Sequence, residues 1–152
     1  MAGFSPKDPD WRARCEDSFA RQALMSTMGA GIDRLQPGQC TLSLAHRPDL
    51  CQQHGYLHAG TTMALADTAA GYAAFSLMPK GASVLTTELK INLLNPAAGE
   101  RLEAVAEVVK PGRTLSVVKA DVYGIQGGKR GHVATVLATM MCLADTPDDK
   151  GR

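Results

Sequence analysis

The stretch HAGTTMALAD, residues 58 to 67, holds the residue types that chemistry at a carbonyl needs: an imidazole, two small residues and a carboxylate. From Thr61 to Phe75 the chain is Ala, Met, Leu, Gly, Thr and aromatics around Asp67, with no Lys, Arg or second acid beside it. Two readings fit such an acid. It is satisfied by a loop amide or a distant Arg, as buried acids generally are, or it is a base or nucleophile made more basic by partial desolvation. His58 stands where the helix should start. A cation is disfavoured there, so a capping role is the stronger reading and a catalytic one the weaker. Ala59 and Gly60 matter through their backbone: the first amides of a helix lack internal acceptors, and small side chains let an oxyanion approach them.

Spacing then constrains how these groups can cooperate. Ala59 and Asp67 are eight residues apart, or ~12 Å along a helix rising ~1.5 Å per residue. A reacting carbonyl must lie about 3 Å from both its oxyanion donors and its base. One helix cannot supply both. If both act on one carbonyl they come from two chains, so catalysis here implies at least a dimer.

Those residues need a frame. The chain has 152 residues, 16 basic against 15 acidic, and a formal charge of +1. That suits one domain with a real core and favours neither nucleic acid nor a membrane surface as partner. No apolar run reaches the ~18–20 residues of a membrane span, and the start, MAGFSPKDPDWRAR, carries no secretory signal. Cys15, Cys40, Cys51 and Cys142 form no CxxC pair, so neither zinc nor a disulfide framework is expected. The expected setting is the cytoplasm, with no metal and no cofactor.

Pro9 followed by DWRARCEDSFARQALMSTMG reads as one N-terminal helix with an apolar stripe of Trp11, Cys15, Phe19, Leu24 and Met25, ended by Gly29 or Gly31. Residues 39–46 alternate as a strand, and 48–57 read as a loop. The central helix follows, closed by Pro79-Lys80-Gly81. Beyond it, segments 84–94, 100–110, 113–124 and 132–143 alternate with period two, separated by Asn95-Pro96 to Gly99, Pro111-Gly112 and Gly127-Gly128. Such short breaks make neighbouring strands antiparallel. A helix apolar all round needs a sheet that curls around it, a second subunit, or both. The expected organisation is a helical extension over 1–36, a domain over 37–145 and a flexible tail over 146–152.

At this point the motif itself is informative. His58-Ala59-Gly60, Leu65-Ala66-Asp67 and Gly71 resemble the H-G-G-x₄-L-x-D-x₃-G pattern of hotdog-fold acyl-CoA thioesterases of the PaaI type. The likeness continues through KINLLNPAAG (90–99) and KPGRTLSVVKADVY (110–123), and covers about residues 40 to 143. The resemblance implies an α+β hotdog fold, a long central helix wrapped by a curled antiparallel sheet of five to six strands, here with an additional N-terminal helix. It also implies a homodimer, often assembled as a homotetramer.

By the same resemblance Asp67 matches the catalytic carboxylate and Ala59 the amide that polarises the thioester carbonyl. Gln52 matches a polar amide six residues before the His, and Thr86 a hydroxyl that helps position water. Ala59 replaces the family's first Gly, and Gln52 is one methylene longer than the usual Asn, so Gln53 is an alternative to it. Thr86 shares strand parity with Glu88 and Lys90, a polar face that reaches a site only at a subunit junction. His58, Gly60, Gln53, Arg113 and Lys90 are candidate substrate-binding residues, and Lys110, Lys119 and Arg130 are further cations for the CoA phosphates.

The expected activity is hydrolysis of an acyl-CoA thioester to a carboxylic acid and free CoA. The alternative is a hotdog protein that binds acyl-CoA without turnover, as sensor or carrier. A hydratase ranks third, because His58 and Asp67 are nine residues apart on one helix. A thioesterase for protein-carried acyl groups is not separable from the first reading.

Overall fold

The computed structural model describes residues 3–148; of the expected tail, 149–152 lie outside the described residues. The elements are α1 (Trp11–Ala20), α2 (Ala23–Met28), β1 (Gly31–Gln36), β2 (Gln39–Ala45), a short 3₁₀ turn (Pro48–Leu50), α3 (Ala59–Phe75), β3 (Ser83–Leu93), β4 (Arg101–Lys110), β5 (Leu115–Gln126) and β6 (Lys129–Leu143). The strands form one antiparallel sheet in the order β1-β2-β4-β5-β6-β3. It curls so that β2, β3, β4, β5 and β6 all pack against α3. The expected α+β arrangement of one long helix wrapped by sheet is present.

The core follows the period-two pattern. Leu102, Ala104, Ala106 and Val108 of β4 are buried, and they meet Leu65, Ala66, Ala69 and Ala73 of α3, also buried. The alanines keep the helix close to the sheet. The β5–β6 hairpin turns on Gly127 and Gly128, both at positive φ (53° and 77°), a pair of dihedrals that fits the twist of the strands it joins and that side-chained residues rarely adopt.

Two expectations need correction. The single N-terminal helix is two, broken at Arg21 and at Gln22, whose φ of −77° and ψ of 99° are extended. The stripe Trp11–Cys15–Phe19 does not continue onto Met25: six residues at ~100° each leave it about 240° away around a straight helix. The break turns the chain so that Met25 and Met28 are buried while Leu24 faces out. Gly29, at φ 69°, ends α2.

The second correction is β1, which occupies residues expected to end the helix. Its apolar residues, Ile32 and Leu35, differ in parity, and a bulge between Ile32 and Arg34 restores their common side. Alternation was therefore absent from the sequence. Pro37 and Gly38 (φ 77°) make the turn into β2.

The extension is tied to the far end of α3. The Arg14 guanidinium donates to the carbonyls of Phe75 (3.1 Å), Met78 (2.8 Å) and Pro79 (2.5 Å), at the last residue of α3 and in the turn after it. It lies over the Phe75 ring at 4.3 Å, and its Nε is 3.2 Å from Oδ2 of Asp8, which is 1% exposed. That approach is misaligned for a hydrogen bond, so it acts through charge. Arg14→Met strands a buried carboxylate and removes three hydrogen bonds to the end of α3 and the turn after it. It should cost about 3–5 kcal/mol in urea unfolding, and Asp8→Asn added to it should recover part of that loss. A cost below about 1 kcal/mol would show that the extension is only loosely attached.

Candidate active site

The lone carboxylate does not lie in the core. On α3, Gly60, Met63, Ala64, Asp67 and Gly71 recur at helical spacing and form a stripe the sheet leaves partly open, Met63 being 42% exposed. Asp67 is half-buried on this stripe, and its Oδ1 accepts a hydrogen bond from Thr86 Oγ1 at 2.7 Å. One carboxylate oxygen is held and the geometry of the acid is set by a neighbouring strand.

Thr86 reaches Asp67 because β3 is bulged. The register passes from Thr86↔Met140 to Glu88↔Thr139, leaving Thr87 as the extra residue. Val84 and Thr86 before the bulge share a side with Leu89 and Ile91 after it, and Val84, Leu89 and Ile91 pack on the core. The assignment of Thr86 to the polar face of Glu88 and Lys90 is thereby corrected. It meets Asp67 within one chain, without a subunit junction.

At the N-terminus of α3, His58 is the cap. Its φ of −61° and ψ of 145° are extended, and its Nδ1 accepts the Gly60 amide at 2.8 Å. An accepting Nδ1 places the ring proton on Nε2. Gly60 therefore has an internal partner. The Ala59 amide has none among the described residues, and is the first donor open to an outside acceptor.

Around Ala59 lies a cleft of about 540 Å³ whose walls include Gln52, Gln53, His58, Asn95 and Pro96. Gln52 holds the preceding turn: its amide N–H donates to Tyr56 O at 2.9 Å, and its Oε1 accepts the His54 amide. Gln53 is exposed at the same rim. Asn95, read from sequence only as part of a turn, is also in this wall, its Nδ2 donating to His132 O at 2.9 Å.

Asp67 and Thr86 line a second cleft of about 260 Å³, and no residue lines both. Its other walls include Gln22, Leu24, Tyr72 and Leu85. Gln22 and Leu24 were missed as site residues. No local signal marks them, since they arrive only through the break between α1 and α2.

The remaining candidates are dispersed. Arg113 lies in the β4–β5 loop beside Ala74 and Pro79, so it sits at the other end of α3. Ala74 is fifteen residues beyond Ala59, roughly 22 Å along the axis. Lys90 is exposed on β3. Lys119 is paired with Asp121 at 2.8 Å, and Arg130 pairs with Glu103 while stacking over Tyr123 at 4.2 Å. Burial pushes the Cys15 thiol up to about 12, and the Cys40 thiol up too, so both stay protonated. Among the described residues no cluster of three His, Cys, Asp or Glu could hold a metal, and no helix is long and apolar enough to cross a membrane.

The sequence profile of the thioesterase superfamily matches residues 54–130, which contain both clefts' α3 residues and Thr86. A Halobacterium salinarum protein named as an esterase is 32% identical over 127 residues, 80% of this chain and 82% of the relative. A thioesterase family protein from Silicibacter pomeroyi superposes with a TM-score of 0.87 at 51% identity, covering 88% of this chain and 98% of that one. The PaaI protein of the E. coli phenylacetic acid degradation operon superposes with a TM-score of 0.81 at 22% identity, over 91% and 96% of the chains, a likeness in the hotdog fold.

Proposed function

The chain belongs to the thioesterase superfamily, and on that premise we propose that it hydrolyses acyl-CoA to a carboxylic acid and free CoA in the cytoplasm, as a homodimer. The observation carrying this reading is the pairing of a half-buried Asp67 with the Thr86 hydroxyl on the open stripe of α3. Oδ2, the oxygen that Thr86 leaves free, takes a proton from a water whose oxygen attacks the carbonyl carbon, or attacks that carbon itself to form a mixed anhydride that water then hydrolyses. The C–S bond breaks, and the departing CoA thiolate is protonated by Asp67 in the first route and by solvent in the second. The unpartnered Ala59 amide, at the positive end of the α3 dipole, faces the carbonyl oxygen as negative charge develops on it.

The dimer is supported by the same geometry. The Ala59 and Asp67 clefts are separate within one chain, so each complete site needs α3 from one protomer and α3 from its partner. The open stripe of α3 and the unpaired edge of β3, with Leu85 and Leu93 exposed, are surfaces that a two-fold partner would cover. Gln52 and Gln53 would position the thioester, with His58 fixing the helix start rather than transferring protons. Arg113 and Lys90, for which no ion pair is found among the described residues, would meet the CoA phosphates.

A thiol-release assay over short, medium, long and aryl acyl-CoAs tests this directly. Failure to release thiol from any of them, with acyl-CoA still bound, would leave the binding-protein alternative standing. Thr86→Val keeps shape and removes the donor to Asp67. It should lower kcat about 10–100-fold, a typical loss for a positioning group, with KM changed little. A loss in KM alone would place Thr86 in substrate binding instead.

A further inference from the structure

We infer that the N-terminal extension selects the acyl group: Gln22 and Leu24 wall the Asp67 cleft, and Leu24 limits how far an acyl chain extends past the acid. The inference rests on the thioesterase reading of Asp67 and adds the residues that set its acyl range.

Both clefts mix polar and apolar walls. The cleft at Ala59 combines Gln52, Gln53 and Asn95 with Leu93, Leu94 and Val133. The Asp67 cleft, of about 260 Å³, has Leu24, Ala64, Val84, Leu85 and Tyr72 in its walls and no Lys or Arg. A phosphate finds no cation there, and an acyl chain placed beside Asp67 and Thr86 would meet the Leu and Val side of the cleft. Leu24 and Leu85 are 57% and 56% exposed, two large apolar side chains left open beside the acid.

The wall is fixed in place. Gln22 Nε2 donates to the Tyr72 hydroxyl at 3.3 Å, and that hydroxyl also lies 3.0 Å from Ser18 Oγ. These bonds hold the α1–α2 break against α3 at the residue following Gly71. Arg14 anchors α1 one turn further along. The wall therefore belongs to a segment outside residues 54–130, the part matched by the family profile. A relative with the same α3 and sheet but another extension would have a different cleft.

The consequence is a chain-length profile. Each methylene that fits should improve binding about fourfold, and the first that does not must displace Leu24. Hydrolysis should rise with chain length to an optimum set by Leu24 and fall at least tenfold by hexadecanoyl-CoA.

The test compares kcat/KM for straight-chain acyl-CoAs from acetyl to hexadecanoyl in wild type, Leu24→Ala and Leu24→Trp. Calorimetric binding of the same series to Asp67→Asn chains, with and without the Leu24 changes, gives a second readout independent of turnover. Leu24→Ala should move the optimum at least two carbons longer and raise the dodecanoyl-to-hexanoyl ratio at least tenfold, and Leu24→Trp should do the reverse. An unmoved profile in both variants, a wild type preferring hexadecanoyl-CoA, or no acyl-CoA binding at all would overturn the inference. Asp67→Asn chains that still turn over while Leu24 shifts the profile would instead remove Asp67 from catalysis and leave the wall in place.

Discussion

Asp67→Asn is expected to abolish thiol release, with a loss of about 10³-fold or more, near the upper range for removal of a general acid–base group. The amide keeps the shape of the carboxylate, and its oxygen still accepts the Thr86 hydroxyl that now lies 2.7 Å from Oδ1. It cannot take a proton from water or attack a carbonyl. Asp67 is half-buried and has no cationic partner among its hydrogen bonds, so the substitution should change unfolding free energy by about 0.5 kcal/mol or less. The check is thiol release beside a urea melt on the same preparation. Near wild-type turnover from a folded variant would make Asp67 a structural acid and end the proposed mechanism. Asp67→Ala is a poorer test because it also frees Thr86 and opens space.

Ala59→Pro is expected to lower kcat about 10²–10³-fold, the loss typical of one oxyanion donor, while α3 persists. Proline lacks the N–H at issue, and the first helical position is where a helix tolerates it. His58 already has the extended dihedrals that a residue before proline requires, −61° and 145°. The Ala59 amide has no partner to lose among the described residues. If the amide and Asp67 of different chains complete one site, the two dead variants should rescue each other. Each pure variant has two broken sites per dimer. A mixed dimer has one site with both lesions and one with neither. Random pairing after co-refolding makes half the molecules mixed, so activity should return to about a quarter of the wild-type level. Folded mixed dimers without recovery, or a fully active monomer by light scattering, would place both groups within one chain's site.

The two variants probe features of different legibility. Asp67, Ala59 and the distance between them were readable because a helix has a known rise, so sequence separation converts directly into length. The buried face of β4 was readable because alternation maps onto a pleated strand without reference to anything else. The hairpin at Gly127-Gly128 was readable for a similar reason, since its dihedrals are a property of the residues themselves.

Thr86 shows where such reading stops. Parity placed it with Glu88 and Lys90, and one extra residue at Thr87 moved it to the opposite face. A bulge is chosen by the pairing of β3 with β6, which local sequence does not encode. β1 was hidden by the same device between Ile32 and Arg34. The N-terminal helix broke because burying Met25 and Met28 required a turn that the pattern up to Phe19 did not announce.

Sequence by itself thus determined the position of the carboxylate, the helix that carries it, and the distance from the acid to that helix's first amide. These depend on contacts and dimensions within one element, and such quantities are local. Tertiary structure alone decided that Asp67 lies on an open stripe, that Thr86 holds it, and that Gln22 and Leu24 stand beside it. Each of these depends on how separate elements pack, and packing is settled by the burial of all of them together.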